Sequence, residues 1–154
     1  MNQIPTLFLK VTITFIGIIA LAICVFILPV GLRQEKMSGY APIIIGLYAA
    51  VIPFFIALYN AVKLLSYIDK NKAFSILSVN CLKYIKYSAI IISLLFAAGM
   101  PYIYLVADQD DAPGVLAMAL VIDSLSVIVA AGVAVLQKLF QNAVDIKSEN
   151  DLTV

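Results

Sequence analysis

Residues 87–107 read YSAIIISLLFAAGMPYIYLVA, a stretch without a charged side chain, bracketed by Lys86 and Asp108. At about 1.5 Å of rise per residue, a helix of this length covers the ~30 Å hydrocarbon core of a bilayer. The same arithmetic extends outward on both sides. Uncharged runs cover 11–32 and 37–62, and 112–137 is interrupted only by Asp123. Across 154 residues, 64% are hydrophobic and 12% charged, about half the charge of a soluble domain. The predicted fold is all-α: a polytopic membrane protein, an antiparallel bundle of four transmembrane helices. Its single membrane domain places spans at about 8–32, 41–66, 80–107 and 113–138, followed by a cytoplasmic tail at 139–154.

The N-terminal run invites a second reading as a cleaved leader, since LAIC at 21–24 faintly resembles a lipoprotein box. Ile23 is bulky where cleavage needs a small residue, and the run 11–32 exceeds the apolar core of a signal peptide. A retained first span is therefore expected.

Orientation follows from the cations, because positively charged segments flanking a span resist translocation. Lys10, then Lys63, Lys70, Lys72, Lys83 and Lys86, then Lys138 and Lys147 fall on one side of the bilayer; Arg33 and Lys36 fall on the other. Both termini and the 63–86 connection are thus expected to be cytoplasmic, in the plasma membrane of a bacterium. The two outer connections, RQEKMSGYA at 33–41 and DQDDAPG at 108–114, are short enough for tight hairpins. In the inner connection, apolar residues continue on both sides of DKNK at 69–72, so two helices should project beyond the bilayer. The second is expected to continue to about Ile68. Ser75 is placed to cap the next one through its hydroxyl. Leu77, Cys81 and Ile85, with Leu82 beside them, should form the inward face of that helix, while Lys83, Lys86, Tyr84 and Tyr87 suit the headgroup zone.

Within lipid, helices associate through close backbone approach and a few polar contacts. Small residues four apart mark the expected seams: Ala20 and Cys24, Gly46 and Ala50, Ala57 and Ala61, Ala89, Ser93 and Ala97, Ala130 and Ala134. Pro53 should bend the second span by freeing the carbonyl of Ala49.

Asp123 is the exception to the apolar pattern. Counted from Pro113 it lies roughly 15 Å deep, near the bilayer centre, where a carboxylate costs on the order of 2.5–3.5 kcal/mol on insertion scales. It should therefore face protein, on the side shared with Ala119, Ser126 and Ala130. No lysine or arginine lies at its level. Its candidate donors are hydroxyls of similar depth, Tyr48 and Ser93, and depth alone does not say which is adjacent. It reads as a hydrogen-bonded pin between helices, as a proton or cation site, or as a position facing water or a second copy.

Catalysis finds little to work with. There is no histidine, so the commonest general base and zinc ligand is missing. Two unpaired cysteines, a single buried acid and no phosphate-binding loop leave no catalytic set, no metal site and no cofactor to assign. Three crowded acids at 108–111 lack the spacing of a calcium loop.

The segment IDKNKAFSILSVNCLKYIKY at 68–87 and the ending KSENDLTV at 147–154 resemble the YoaS-like four-span bacterial integral membrane proteins, a family of unknown function. The resemblance implies a partner. Genes of this kind commonly stand beside a small helix-turn-helix regulator of the Cro type, which suggests a non-enzymatic membrane regulator or anchor for a DNA-binding protein, itself making no direct contact with nucleic acid. The expected partner surface comprises Lys70, Lys72, Phe74, Ser75, Lys83, Asp151, Leu152 and Val154. Ser148 to Val154 lacks an apolar face and should be mobile, free to add to a partner as a strand. The alternatives are a small transporter or ion pathway built on Asp123, and an immunity or stress-protection protein whose outer acids Asp108, Asp110 and Asp111 attract cationic peptides. Partnership with the bilayer is built in, and association of identical chains stays open.

Overall fold

The computed structural model describes residues 4–33 and 39–152, and these form helices joined by short connections. The first span begins as α1 (Ile4–Ala22), passes through one stretch of π-helix (Ile23–Ile27) and ends in α2 (Leu28–Arg33). α3 (Ala41–Asp69), α4 (Ile76–Gln109) and α5 (Pro113–Leu152) follow. Four stretches, Thr6–Phe26, Ala41–Asp69, Ile76–Gln109 and Pro113–Leu152, are long and apolar enough to cross a membrane. α5, at 40 residues, is about 60 Å long.

α3 and α4 end in the same way, because both carry a short polar residue at the position that must turn left-handed. Asn71 adopts φ 61° and Asp111 φ 49°. Behind Asn71, the Lys72 N–H reaches back to the Tyr67 carbonyl at 2.7 Å and the Asn71 N–H to Ile68 at 3.2 Å; behind Asp111, Ala112 reaches Ala107 at 2.8 Å and Asp111 reaches Asp108 at 3.3 Å. These pairs of bonds close a Schellman cap, which satisfies carbonyls left over at a helix end.

Packing follows chain order, with α1 on α3, α3 on α4 and α4 on α5. The two end helices each bury one narrow stripe. On the first span the partly covered positions Thr6, Lys10, Ile13, Gly17, Ala20 and Cys24 alternate in steps of three and four, which is the repeat of a helix laid along one neighbour. At Gly17 a Cβ would lie 3.5 Å from Leu58 Cδ1, so α3 fits against nearly bare backbone there. On α5 the stripe is Ala119, Asp123, Ser126, Ala130, Val133, Gln137 and Phe140. Small residues fall on these seams at Ala20, Cys24, Ala50, Ala89 and Ala130, whereas Gly46, Ala97 and Ala134 are exposed. The inward face of α4 keeps Cys81 and Leu82 as expected but begins at Ser78 instead of Leu77. Ser78, Cys81 and Leu82 are buried and Leu77 is 45% exposed.

The π stretch leaves one carbonyl in need of a partner. In that register the Cys24 carbonyl looks five residues ahead for a donor and meets Pro29, which has no N–H. The Tyr48 hydroxyl donates to this carbonyl at 2.8 Å, so α3 supplies the bond that the first span cannot make. Pro53 is buried inside α3, which continues as helix on both sides of it.

Candidate functional site

Near the middle of the bundle, the Ser93 hydroxyl of α4 donates to the Asp123 carboxylate of α5 at 3.0 Å. The two residues meet because α4 and α5 run antiparallel and both positions fall on their shared seam. Tyr48 takes no part. Tyr48, the other candidate donor, instead donates to the Cys24 carbonyl of the first span, since equal depth says nothing about which way around a helix a side chain points. Ser126 donates to its own helix at Ile122, 2.9 Å away, so it does not serve the carboxylate either.

Beside this pair lies an apolar groove of ≈ 310 Å³ between α3, α4 and α5. Phe54, Ala57, Ala89, Ile92, Ile122 and Ser126 are among its walls, and Asp123 and Ser93 are not. The acid therefore sits in a helix seam, while the nearby space is lined by hydrocarbon. Asn60 is a polar residue that sequence reading passed over. It is 7% exposed, and its amide donates to the Ile56 carbonyl at 2.8 Å within the same helix.

At the end of the molecule carrying residues 63–86, the structure groups some of the expected surface and separates the rest. Lys70, Lys72 and Phe74 are exposed on the connection between α3 and α4. The Phe74 ring meets Phe140 of α5 edge-on, with centroids 5.6 Å apart, and this pairing was not foreseen. Ser75 stands at the N-cap position of α4 with extended backbone, but its capping role is corrected. Its hydroxyl donates to the Lys72 carbonyl at 2.6 Å instead of accepting an N–H from the helix, and the fully buried Ser78 donates to the same carbonyl at 3.0 Å. Together the two hydroxyls pin the connection against α4. Lys83 lies about 10 Å further along α4 from its start at Ile76 and stays apart from Lys70 and Lys72.

The expected mobile tail is also corrected, as α5 remains helical through Leu152. The Gln141 amide donates to Asp145 at 3.0 Å, and Lys147 stands four residues before Asp151, the spacing at which opposite charges support a helix. Asp151 and Leu152 thus occupy its far end, Leu152 being 84% exposed, and a helical backbone there cannot add as a strand. Val154 lies outside the described residues. Gln137 Oε1 is buried without a hydrogen-bond partner among the described residues. One ion pair, Lys10 to Asp69 at 2.9 Å, ties the start of α1 to the end of α3.

The opposite end is clasped by tyrosines. The Tyr102 hydroxyl donates to the Gly39 carbonyl at 2.7 Å. The Tyr40 phenol is raised above its ordinary value, first by its hydrogen bond to the Asp110 carboxylate, then by partial desolvation and that neighbouring negative charge. Among the described residues no cluster of three His, Cys, Asp or Glu side chains is arranged to hold a metal.

With this geometry in view, the family described as "Protein of unknown function (DUF2975)" matches residues 5–154. A relative in Bacillus subtilis (strain 168), "Uncharacterized membrane protein YoaS", is 51% identical over 166 aligned positions that cover 100% of both chains. No solved structure matches.

Proposed function

The chain belongs to the DUF2975 family and is a multi-pass protein of the bacterial plasma membrane, and from that premise we propose that it acts without catalysis, as a membrane anchor or regulator holding a soluble partner. The observation that carries this reading is the extension of α5. Beyond Gln137, where its nearly uncharged run ends, the helix continues to Leu152, reaching about 20 Å past that point. It carries Ile146 and Leu152 at 67% and 84% exposure into what composition predicts to be the cytoplasm. Beside its root stand Phe74 and Ile76, each 53% exposed, with Lys70 and Lys72 on the adjoining connection. Apolar side chains rimmed by lysines on projecting helices suit a small acidic or amphipathic protein surface. A small helix-turn-helix regulator is the partner proposed, held at the membrane and away from DNA.

Affinity capture tests this directly. The tagged chain, extracted from bacterial membranes in mild detergent, is expected to retain a small DNA-binding protein that Ile146→Glu and Phe74→Glu each release. Recovery of no such protein, or equal recovery with both variants, would remove the proposal.

A second reading, transport through Asp123, draws on the half-buried carboxylate with a single described hydrogen bond. In proteoliposomes it requires proton or cation flux that Asp123→Asn abolishes.

A further inference from the structure

We infer that Lys83, Lys86 and Tyr87 on α4 form a binding site for the phosphate of an anionic phospholipid. The Lys83 ammonium lies 6.0 Å and the Lys86 ammonium 5.0 Å from the centre of the Tyr87 ring, so two cations stand over the same ring. Among the described residues neither is paired with a carboxylate; the ion pair present, Lys10 with Asp69, belongs to α1 and α3. Two unneutralised ammonium groups near one ring repel each other, and an anion bound beside them offsets that repulsion. The level suits a phosphate. The uncharged run of α4 begins at residue 87, which puts both lysines within about one helical turn of the hydrocarbon boundary.

Below the cations the same side of α4 continues as apolar surface. Steps of three and four lead from Lys83 through Tyr87 to Ile90 and Leu94, which are 36% and 63% exposed. A charged head above a strip of exposed hydrocarbon matches the shape of a phospholipid, with the acyl chain lying along Ile90 and Leu94. Lys63, which rests 5.4 Å over Tyr59, offers a single cation. The site is independent of the partner surface at Phe74 and Ile146, so either can fail without the other.

Native mass spectrometry of the full chain in maltoside detergent tests the inference, with phosphatidylglycerol and phosphatidylcholine of identical acyl chains as probes. Phosphatidylglycerol is expected to be retained in preference to phosphatidylcholine, with the preference falling as salt rises. Lys83→Gln combined with Lys86→Gln should weaken phosphatidylglycerol binding roughly thirtyfold, while Lys83→Arg with Lys86→Arg keeps it. Lys138→Gln with Lys147→Gln removes the same charge elsewhere and should leave it near the parent value. Equal retention of the two lipids by the parent chain would overturn the inference, and this comparison stands even if a variant fails to fold. Equal losses in the two glutamine pairs would overturn it as well.

Discussion

At the scale of single residues, several polar groups inside the bilayer find a partner, while Gln137 Oε1 is buried without one among the described residues. Ser93 donates to Asp123, Tyr48 to the Cys24 carbonyl, and Asn60 to its own helix. Hydrogen bonds between membrane helices contribute about 0.6 kcal/mol on average, so Ser93→Ala should lower stability by about that amount in a reversible detergent-unfolding titration. Asp123→Asn keeps an acceptor facing Ser93 and should stay within about 0.5 kcal/mol of the parent; a loss several times larger would show that the charge itself matters to the fold. Tyr48→Phe leaves the Cys24 carbonyl without a donor beside Pro29, and the π stretch is expected to loosen. In a Cys81→Ser background, a membrane-permeant maleimide should then label Cys24 faster than in the parent. Depth counting from sequence brought Ser93 to Asp123 but also proposed Tyr48, because rise along a helix is legible in a run of residues while the direction each side chain faces depends on the neighbour it packs against. Nothing in LAICVFILP announces a π register. Pro29 was visible, but the carbonyl it strands depends on the local hydrogen-bond spacing.

At the scale of elements, the helices are set by charge-free length and their ends by residues that tolerate a left-handed backbone. Asn71 and Asp111 take positive φ, a conformation that costs a β-branched side chain on the order of 1–2 kcal/mol. Asn71→Val and Asp111→Val should each destabilise by about that much, and the glycine substitutions should not; melting temperatures of the purified chain would distinguish them. The second acid also shows what composition hides. DQDD reads as solvated charge, yet one aspartate turns the chain and another accepts the Tyr40 phenol. The close approach of α1 gives a sharper test. A Cβ at Gly17 would meet Leu58 at an ordinary 3.5 Å, so Gly17→Ala should be tolerated, whereas Gly17→Leu overpacks the seam at roughly 1–3 kcal/mol. The cores of the spans were legible because each needs only an apolar run. Their projecting ends were less so, since helix at 148–152 follows from continuation of α5 and charge spacing along it and not from an apolar face.

At the scale of the whole molecule, the charge asymmetry along the chain predicts which end of the bundle faces the cytoplasm. Eight lysines from Lys10 to Lys147 belong to segments of one end, against Arg33 at the other. Partner holding by α5 and the 70–76 connection requires that the lysine-rich end be the cytoplasmic one. Accessibility of introduced thiols reads this out. In a Cys24→Ser, Cys81→Ser background, Lys72→Cys and Asp110→Cys are each treated in intact cells with a membrane-impermeant maleimide. The thiol at position 110 should react at once, and the thiol at position 72 only after the membrane is permeabilised. Labelling at position 72 in intact cells, with protection at position 110, would invert the topology and contradict a partner surface facing the cytoplasm.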